Sequence, residues 1–96
     1  MEMNMNNKEI YKTTEKIVDL IKQQSNRNKV IAIIYEKSSE NPEEWRFTEP
    51  YEIKDEKYYY GYDIKKDDHI RRFNIDSIAE AKPTNLNFEP RWEVKL

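Results

Sequence analysis

The chain has 96 residues, 38% of them charged and 36% hydrophobic, with a formal net charge of −2, which indicates one domain with a small core and excludes the broad positive field of a non-specific nucleic-acid binder. It contains no cysteine, which excludes disulfides, zinc–thiolate sites and cysteine nucleophiles and suits a reducing compartment. No apolar run approaches the roughly 20 residues that span a bilayer, and the start lacks the basic and apolar regions of an export signal, so we expect a cytoplasmic protein without a membrane segment.

The first predicted element is an amphipathic helix. In NNKEIYKTTEKIVDLIKQQ, apolar residues recur at spacings of three and four while lysines and glutamates occupy the other face. Asn6 precedes Glu9 by three residues, which is close to a capping box and predicts a start there. We expect residues 1–29 to form this helix and a turn, with the apolar face either packed on the remaining residues 30–96 or forming a dimer seam.

The rest of the chain predicts four or five short strands with short connections. KVIAIIYEK is β-branched and nearly continuous in apolar character, which is typical of a central strand buried on both faces. WRFTEPYEI contains Pro50, which has no N–H to donate, so that strand should lie at a sheet edge or bend there. The predicted fold is therefore mainly β with one N-terminal helix, arranged as a small, strongly bent antiparallel barrel.

The stretch KYYYGYD holds four of the seven tyrosines and the only glycine. Alternation along a strand places Tyr58, Tyr60 and Tyr62 on one face and Tyr59 on the other. We expect the set of three to line the core, the alternative being a surface platform on which bases stack, and we expect Tyr59 to be exposed. Gly61 should mark the bend of the barrel.

The end of the chain combines an ambiguous strand, a turn and an apolar tail. HIRRFNI fits no single alternation, and DSIAEAKP predicts one helical turn or a bent strand entry. In the tail NLNFEPRWEVKL, Trp92 either closes the small core or contacts a partner, because tryptophan is enriched in interface hot spots.

Four segments resemble the WYL domain family in order and spacing. VIAIIY, RFTEP, KYYYGYD and RRFNIDSI resemble the family's tyrosine-ending strand, its arginine-x-x-x-proline strand, its tryptophan-tyrosine-leucine strand and its arginine-x-phenylalanine-x-leucine-aspartate-arginine-isoleucine segment. The resemblance extends from Leu20 to Phe88. It has departures: the namesake triplet falls on Lys57, Tyr58 and Tyr59, and residues 74 and 77 are not the basic residues usual in the family.

The resemblance implies an Sm-like or Src-homology-3-like barrel that serves as a ligand-sensing or regulatory module in bacterial and phage proteins. Such modules commonly follow a helix-turn-helix domain and regulate transcription, and their basic and aromatic pocket is thought to bind nucleic acid or a nucleotide-like ligand. Residues 1–29 hold one helix, too little for a unit that enters a major groove. A regulator of this kind would act in trans.

The candidate ligand site consists of Arg46, Lys57, Tyr59, Arg71 and Arg72. An exposed tyrosine gives a platform on which a base stacks, and guanidinium groups bind phosphate bidentately. The alternative is that these residues are structural, because nearby aspartates such as Asp63 and Asp76 would pair with Arg71 and neutralise the patch.

Catalytic signatures are weak, so no enzyme, metal site or cofactor is predicted. The one histidine, His69, lies in a turn, adjacent acidic residues point apart in extended structure, and a single glycine excludes a phosphate-binding loop. Two hypotheses stay open. The chain either binds a nucleotide or single-stranded nucleic acid and acts on a transcription or defence complex, or is a phage or mobile-element accessory protein that works by contact with a protein partner or a second copy.

Overall fold

The computed structural model describes residues 9–36, 44–66 and 69–96. These ranges contain one helix, five strands and a short 3₁₀ helix. They are α1 Thr14–Asn26, β1 Lys29–Tyr35, β2 Arg46–Lys54, β3 Tyr58–Asp63, β4 Arg71–Asn74, the 3₁₀ helix Ile75–Ser77 and β5 Ile78–Asn87. The prediction of a mainly β fold with one helix is confirmed, and the described part of the chain has no helix long and apolar enough to cross a bilayer.

The five strands form one antiparallel sheet in the order β4-β3-β2-β1-β5. Consecutive strands β4 and β5 therefore lie at opposite edges, although only the 3₁₀ helix separates them. In a flat sheet these edges would be about 19 Å apart, because neighbouring strands are spaced by about 4.8 Å. The chain from Asn74 to Ile78 spans at most about 14 Å. The sheet must therefore curl.

The predicted barrel is not closed. No ladder joins β4 to β5 within the described ranges. Side-chain contacts bridge the two ends of the curl instead, because the backbone N–H of Asn74 donates to the Tyr35 hydroxyl at 3.0 Å and the Tyr35 ring packs edge-on against Phe73 at 5.0 Å. The fold is thus an open, curled sheet.

The main core lies between α1 and the sheet. Its buried members come from the apolar stripe of the helix and from one face of the strands: Ile17, Val18, Leu20, Ile21, Ile31, Ile33, Tyr59, Phe73, Ile75, Ile78 and Ala81. A smaller cluster of Val30, Tyr51 and Phe88 forms on the other face. β1 is thus buried on both faces, as predicted, and the apolar stripe of α1 packs on the sheet rather than forming a dimer seam.

The helix begins later than its amphipathic pattern predicts. Tyr11 forms an antiparallel bridge with Ala81 through two backbone hydrogen bonds of 2.7 and 2.9 Å, which keeps Tyr11 out of the helix. Thr13 then caps α1, and its hydroxyl accepts a hydrogen bond from the N–H of Lys16 at 3.3 Å. The predicted cap, Asn6, lies outside the described residues.

Pro50 lies in a strand flanked on both sides, so its predicted edge position is wrong and the predicted bend is present. β1 pairs only with Arg46–Thr48 of β2, so the missing N–H of Pro50 costs no hydrogen bond on the side of β1. On the other side the register with β3 shifts between Pro50 and Glu52. The shift leaves Tyr51 unpaired, and its ring joins the cluster on the face opposite α1.

The alternation predicted for β3 is present, but its faces are reversed. Tyr59 is fully buried in the core beneath α1, whereas Tyr58, Tyr60 and Tyr62 are half-buried on the opposite face. A Cβ atom on Gly61 would lie only 2.7 Å from Cζ and from Oη of Tyr59. The glycine therefore makes room for the ring of Tyr59, beside the register shift at its partner Pro50.

Candidate ligand-binding face

The sheet face opposite α1 presents a row of tyrosines, each of which contacts a cation. We call it the tyrosine face and define it by Tyr58, Tyr60 and Tyr62 of β3 with the cations above their rings. The Arg72 guanidinium lies 4.6 Å from the Tyr58 ring centre, the Lys54 ammonium 5.5 Å from that of Tyr60, and the Arg91 guanidinium 4.5 Å from that of Tyr62.

The antiparallel register explains how these pairs arise. Arg72 lies directly across from Tyr60 in the ladder between β3 and β4, so its long side chain reaches the diagonal neighbour, Tyr58. Lys54 lies across from Tyr58 and reaches Tyr60 in the same way. A base that stacks on such a ring gains about 1–3 kcal/mol, and the adjoining cation is positioned to bind its phosphate.

Arg46, one of the predicted site residues, lies on the opposite, buried side of the sheet. Its Nε donates to Oδ2 of Asp63 at 2.9 Å, and the two side chains are only 5% and 2% exposed. The other oxygen of Asp63 accepts backbone N–H groups of Lys65 and Lys66 at 3.1 and 3.2 Å. Arg46 therefore ties β2 to the end of β3 and does not reach solvent.

Tyr59, predicted to be an exposed stacking platform, is buried instead, so that prediction is wrong. The Thr48 hydroxyl donates to the carbonyl of Ile31 at 3.1 Å, which leaves the Tyr59 hydroxyl, 2.8 Å away, as the donor to Thr48. The Tyr59 ring stacks on Phe73 with centres 5.7 Å apart. Burial raises the pKa of Tyr59 well above its usual value.

The other three predicted residues, Lys57, Arg71 and Arg72, are exposed. Lys57 and Tyr58 line a shallow depression of about 260 Å³ together with Asn74, Asp76 and Ser77, and the Arg72 guanidinium lies over the Tyr58 ring. Arg71 lies across from Gly61, so its side chain is on the face that Tyr59 shares and not on the tyrosine face. Arg71 has an interaction partner of its own. Asp63 bonds Arg46, and Asp76 accepts a hydrogen bond from Thr14 at 3.3 Å.

The tail after β5 contributes groups to the tyrosine face that the sequence pattern did not indicate. Arg91 donates to both carboxylate oxygens of Glu49 at 3.2 to 3.3 Å, and the Tyr51 hydroxyl donates to the same carboxylate at 2.7 Å. Glu49 is itself buried. Burial, followed by the hydrogen bond to Glu49, raises the pKa of Tyr51 to about 12, while the backbone N–H of Arg91 acts in the opposite direction.

Trp92 takes the first of its two predicted roles, the closing of a small core cluster. Its ring centre lies 5.5 Å from that of Tyr51 and 5.6 Å from that of Tyr62, so it covers the smaller core cluster. The side chain is nevertheless 39% exposed. Within the described ranges no group of three or more histidine, aspartate or glutamate side chains is placed to hold a metal ion.

Comparison with known proteins gives one family. The family model of the WYL domain matches residues 16–83, which is more than half of the chain and covers α1 from Lys16 onward, all of β1 to β4 and the first part of β5. A search of curated proteins finds no match. The tail with Arg91 and Trp92 lies beyond the matched residues.

Proposed function

This chain belongs to the WYL domain family, whose members have ligand-sensing regulatory roles, and we propose that it is a non-enzymatic module that binds a nucleotide or single-stranded nucleic acid on the tyrosine face. In this proposal it acts in trans on a transcription or defence complex. The observation that carries the proposal is the exposed Arg72 guanidinium 4.6 Å from the centre of the half-buried Tyr58 ring, with Lys57 lining the same depression as Tyr58.

The ligand site proposed from the structure differs from the ligand site predicted from the sequence. Tyr58 replaces Tyr59 as the ring on which a base stacks, because Tyr58 is the half-exposed member of the two. Lys57 and Arg72 remain as phosphate-binding groups, whereas Arg71 lies across from Gly61 on the face that Tyr59 shares and is left out of this site. Arg46 becomes a structural residue, since its guanidinium is committed to Asp63 in the interior.

We also propose that the curled sheet is an open form of the Sm-like or Src-homology-3-like barrel that the family resemblance implies. The positions of β4 and β5 support this assignment, because consecutive strands at opposite edges must curl the sheet towards closure. Helix α1 then acts as a cover of the barrel.

Salt-dependent titration of a labelled oligothymidylate tests the proposed function. Each phosphate contact on a single strand contributes a slope of about −0.7 to the dependence of log affinity on log salt. We expect Arg72→Ala to reduce the affinity about tenfold and to remove about one contact from that slope. Arg27→Ala is the matched control, because Arg27 is an exposed arginine at the end of α1, on the other side of the sheet. Equal losses in both variants would place the site elsewhere.

A second candidate function, contact with a protein partner, is favoured by the edge position of β4. In the described part of the chain no strand pairs with the outer side of β4, and such an edge can accept an extended peptide. Light scattering combined with partner capture tests this alternative. A chain that stays monomeric, captures no partner and binds the oligonucleotide would contradict it.

A further inference from the structure

The tail and the sheet enclose a cleft of about 300 Å³ beside Trp92. Its aromatic and apolar lining comes from Tyr51, Tyr60, Ile70 and Trp92, and two carboxylates, Glu52 and Glu93, line it as well. Lys95 is the only basic residue of the lining, so the formal charge of the lining is −1. The cleft thus combines aromatic rings with a negative charge, which is the combination that attracts organic cations.

The same face already shows how this protein binds a guanidinium group. Arg91 lies over the Tyr62 ring at 4.5 Å while its nitrogens bond the Glu49 carboxylate at 3.2 to 3.3 Å. The cleft repeats these two components with Trp92 and Tyr60 as rings and with Glu52 and Glu93 as carboxylates. Its largest ring, Trp92, is also the aromatic that binds cations best.

We propose that this cleft binds an arginine side chain of a partner polypeptide. The guanidinium group packs against Trp92 and Tyr60 and donates hydrogen bonds to Glu52 or Glu93. Arginine fits better than lysine because its planar fork can stack on a ring and bond a carboxylate at the same time. Lys54 competes weakly for both Glu52 and Tyr60, since its ammonium is 3.9 Å from the carboxylate and 5.5 Å from the ring centre and its side chain is 57% exposed.

The cleft includes Tyr60 of the tyrosine face but none of the residues of the proposed nucleotide site, Lys57, Tyr58 and Arg72. Trp92 and Glu93 lie beyond the residues that match the family model, so membership of the family does not assign the cleft. Its partner is a cation, whereas the ligand of the proposed function is an anion. Either proposal can therefore fail without the other.

Titration of the isotope-labelled protein with N-acetyl-arginine-N-methylamide tests the cleft. The readout is the indole N–H signal of Trp92, which a Trp45→Phe variant distinguishes from that of the second tryptophan. We expect a saturable shift in the millimolar range. The double variant Glu52→Gln, Glu93→Gln should lose at least threefold in affinity. Glu15→Gln is the matched control and should lose none, because Glu15 lies in the first turn of α1, on the other face of the sheet.

Three results would overturn the proposal. The first is the absence of a saturable shift in the folded protein, and the second is an unchanged affinity in the double variant. The third is equal or tighter binding of the corresponding lysine amide. Guanosine monophosphate serves as the anionic comparison: a shift of Trp92 with this nucleotide and none with the arginine amide would assign the cleft to the nucleotide site instead.

Discussion

Replacing Gly61 with alanine tests the packing of β3 against the core. The new Cβ would lie 2.7 Å from Cζ and Oη of Tyr59 and 3.0 Å from its Cε2, whereas non-bonded carbon atoms prefer about 3.5–4.0 Å. The ring would have to move by about 1 Å. It cannot move into solvent, because Tyr59 is fully buried, stacks on Phe73 and is bonded to Thr48.

The expected cost combines three contributions. Overpacking a core costs about 1–3 kcal/mol, and loss of a buried hydrogen bond adds about 1 kcal/mol. Removing a glycine from a strand returns about 0.5–1 kcal/mol. We therefore expect Gly61→Ala to lower the free energy of unfolding by about 2 kcal/mol, which corresponds to a fall in melting temperature of about 8–16 °C for a domain of this size.

Urea unfolding of four proteins measures this cost and assigns its cause. They are the unchanged chain, Gly61→Ala, Tyr59→Leu and the double variant. Because the clash is with the Tyr59 ring, the alanine should cost much less when leucine replaces that ring, which gives a coupling energy of more than about 1 kcal/mol. A neutral or stabilising Gly61→Ala, or the same cost in both backgrounds, would refute the steric explanation.

Three further predictions concern buried polar groups. Tyr59→Phe removes the donor to Thr48 and should lower the free energy of unfolding by about 1 kcal/mol in chemical denaturation; an unchanged midpoint would contradict the hydrogen-bond assignment. Asp63→Ala leaves the charge of Arg46 buried without its partner and should lower the free energy of unfolding by about 3–5 kcal/mol. An unchanged melting temperature in thermal scans would contradict this. Tyr51 has a folded-state pKa raised from 10.0 to about 12, so its neutral form is favoured in the folded state. Its contribution to stability is present below pH 10 and is lost as the pH rises towards 12, and absorbance titration showing ionisation of all tyrosines near pH 10 would be inconsistent with that.

Local patterns in the sequence predicted the features that depend on residues close together along the chain, namely the existence of a helix and of a buried strand. The continuous β-branched run predicted a strand buried on both faces, and β1 is such a strand. The spacing of apolar residues predicted α1 but not its first residue, because the start depends on the bridge between Tyr11 and Ala81, 70 positions apart in the chain. Pattern alone carries no information about such a contact.

The candidate site was harder to predict because alternation fixes which residues share a face but not which face is covered. The same period of two in β3 is compatible with Tyr59 inside or outside, and the placement of α1 decides between them. Likewise, the pairing of Glu49 with Arg91 joins residues 42 positions apart. Motif position therefore selected basic residues of both kinds: Arg46 lies in the interior and Arg72 lies on the surface.

Chemical-shift mapping with an oligothymidylate at low salt tests the central claim most directly. The account predicts that the largest shifts fall on β3 and β4 around Tyr58 and Arg72, and that the signals of α1 remain unchanged. A folded protein whose spectrum does not change, or whose shifts are confined to α1, would contradict it.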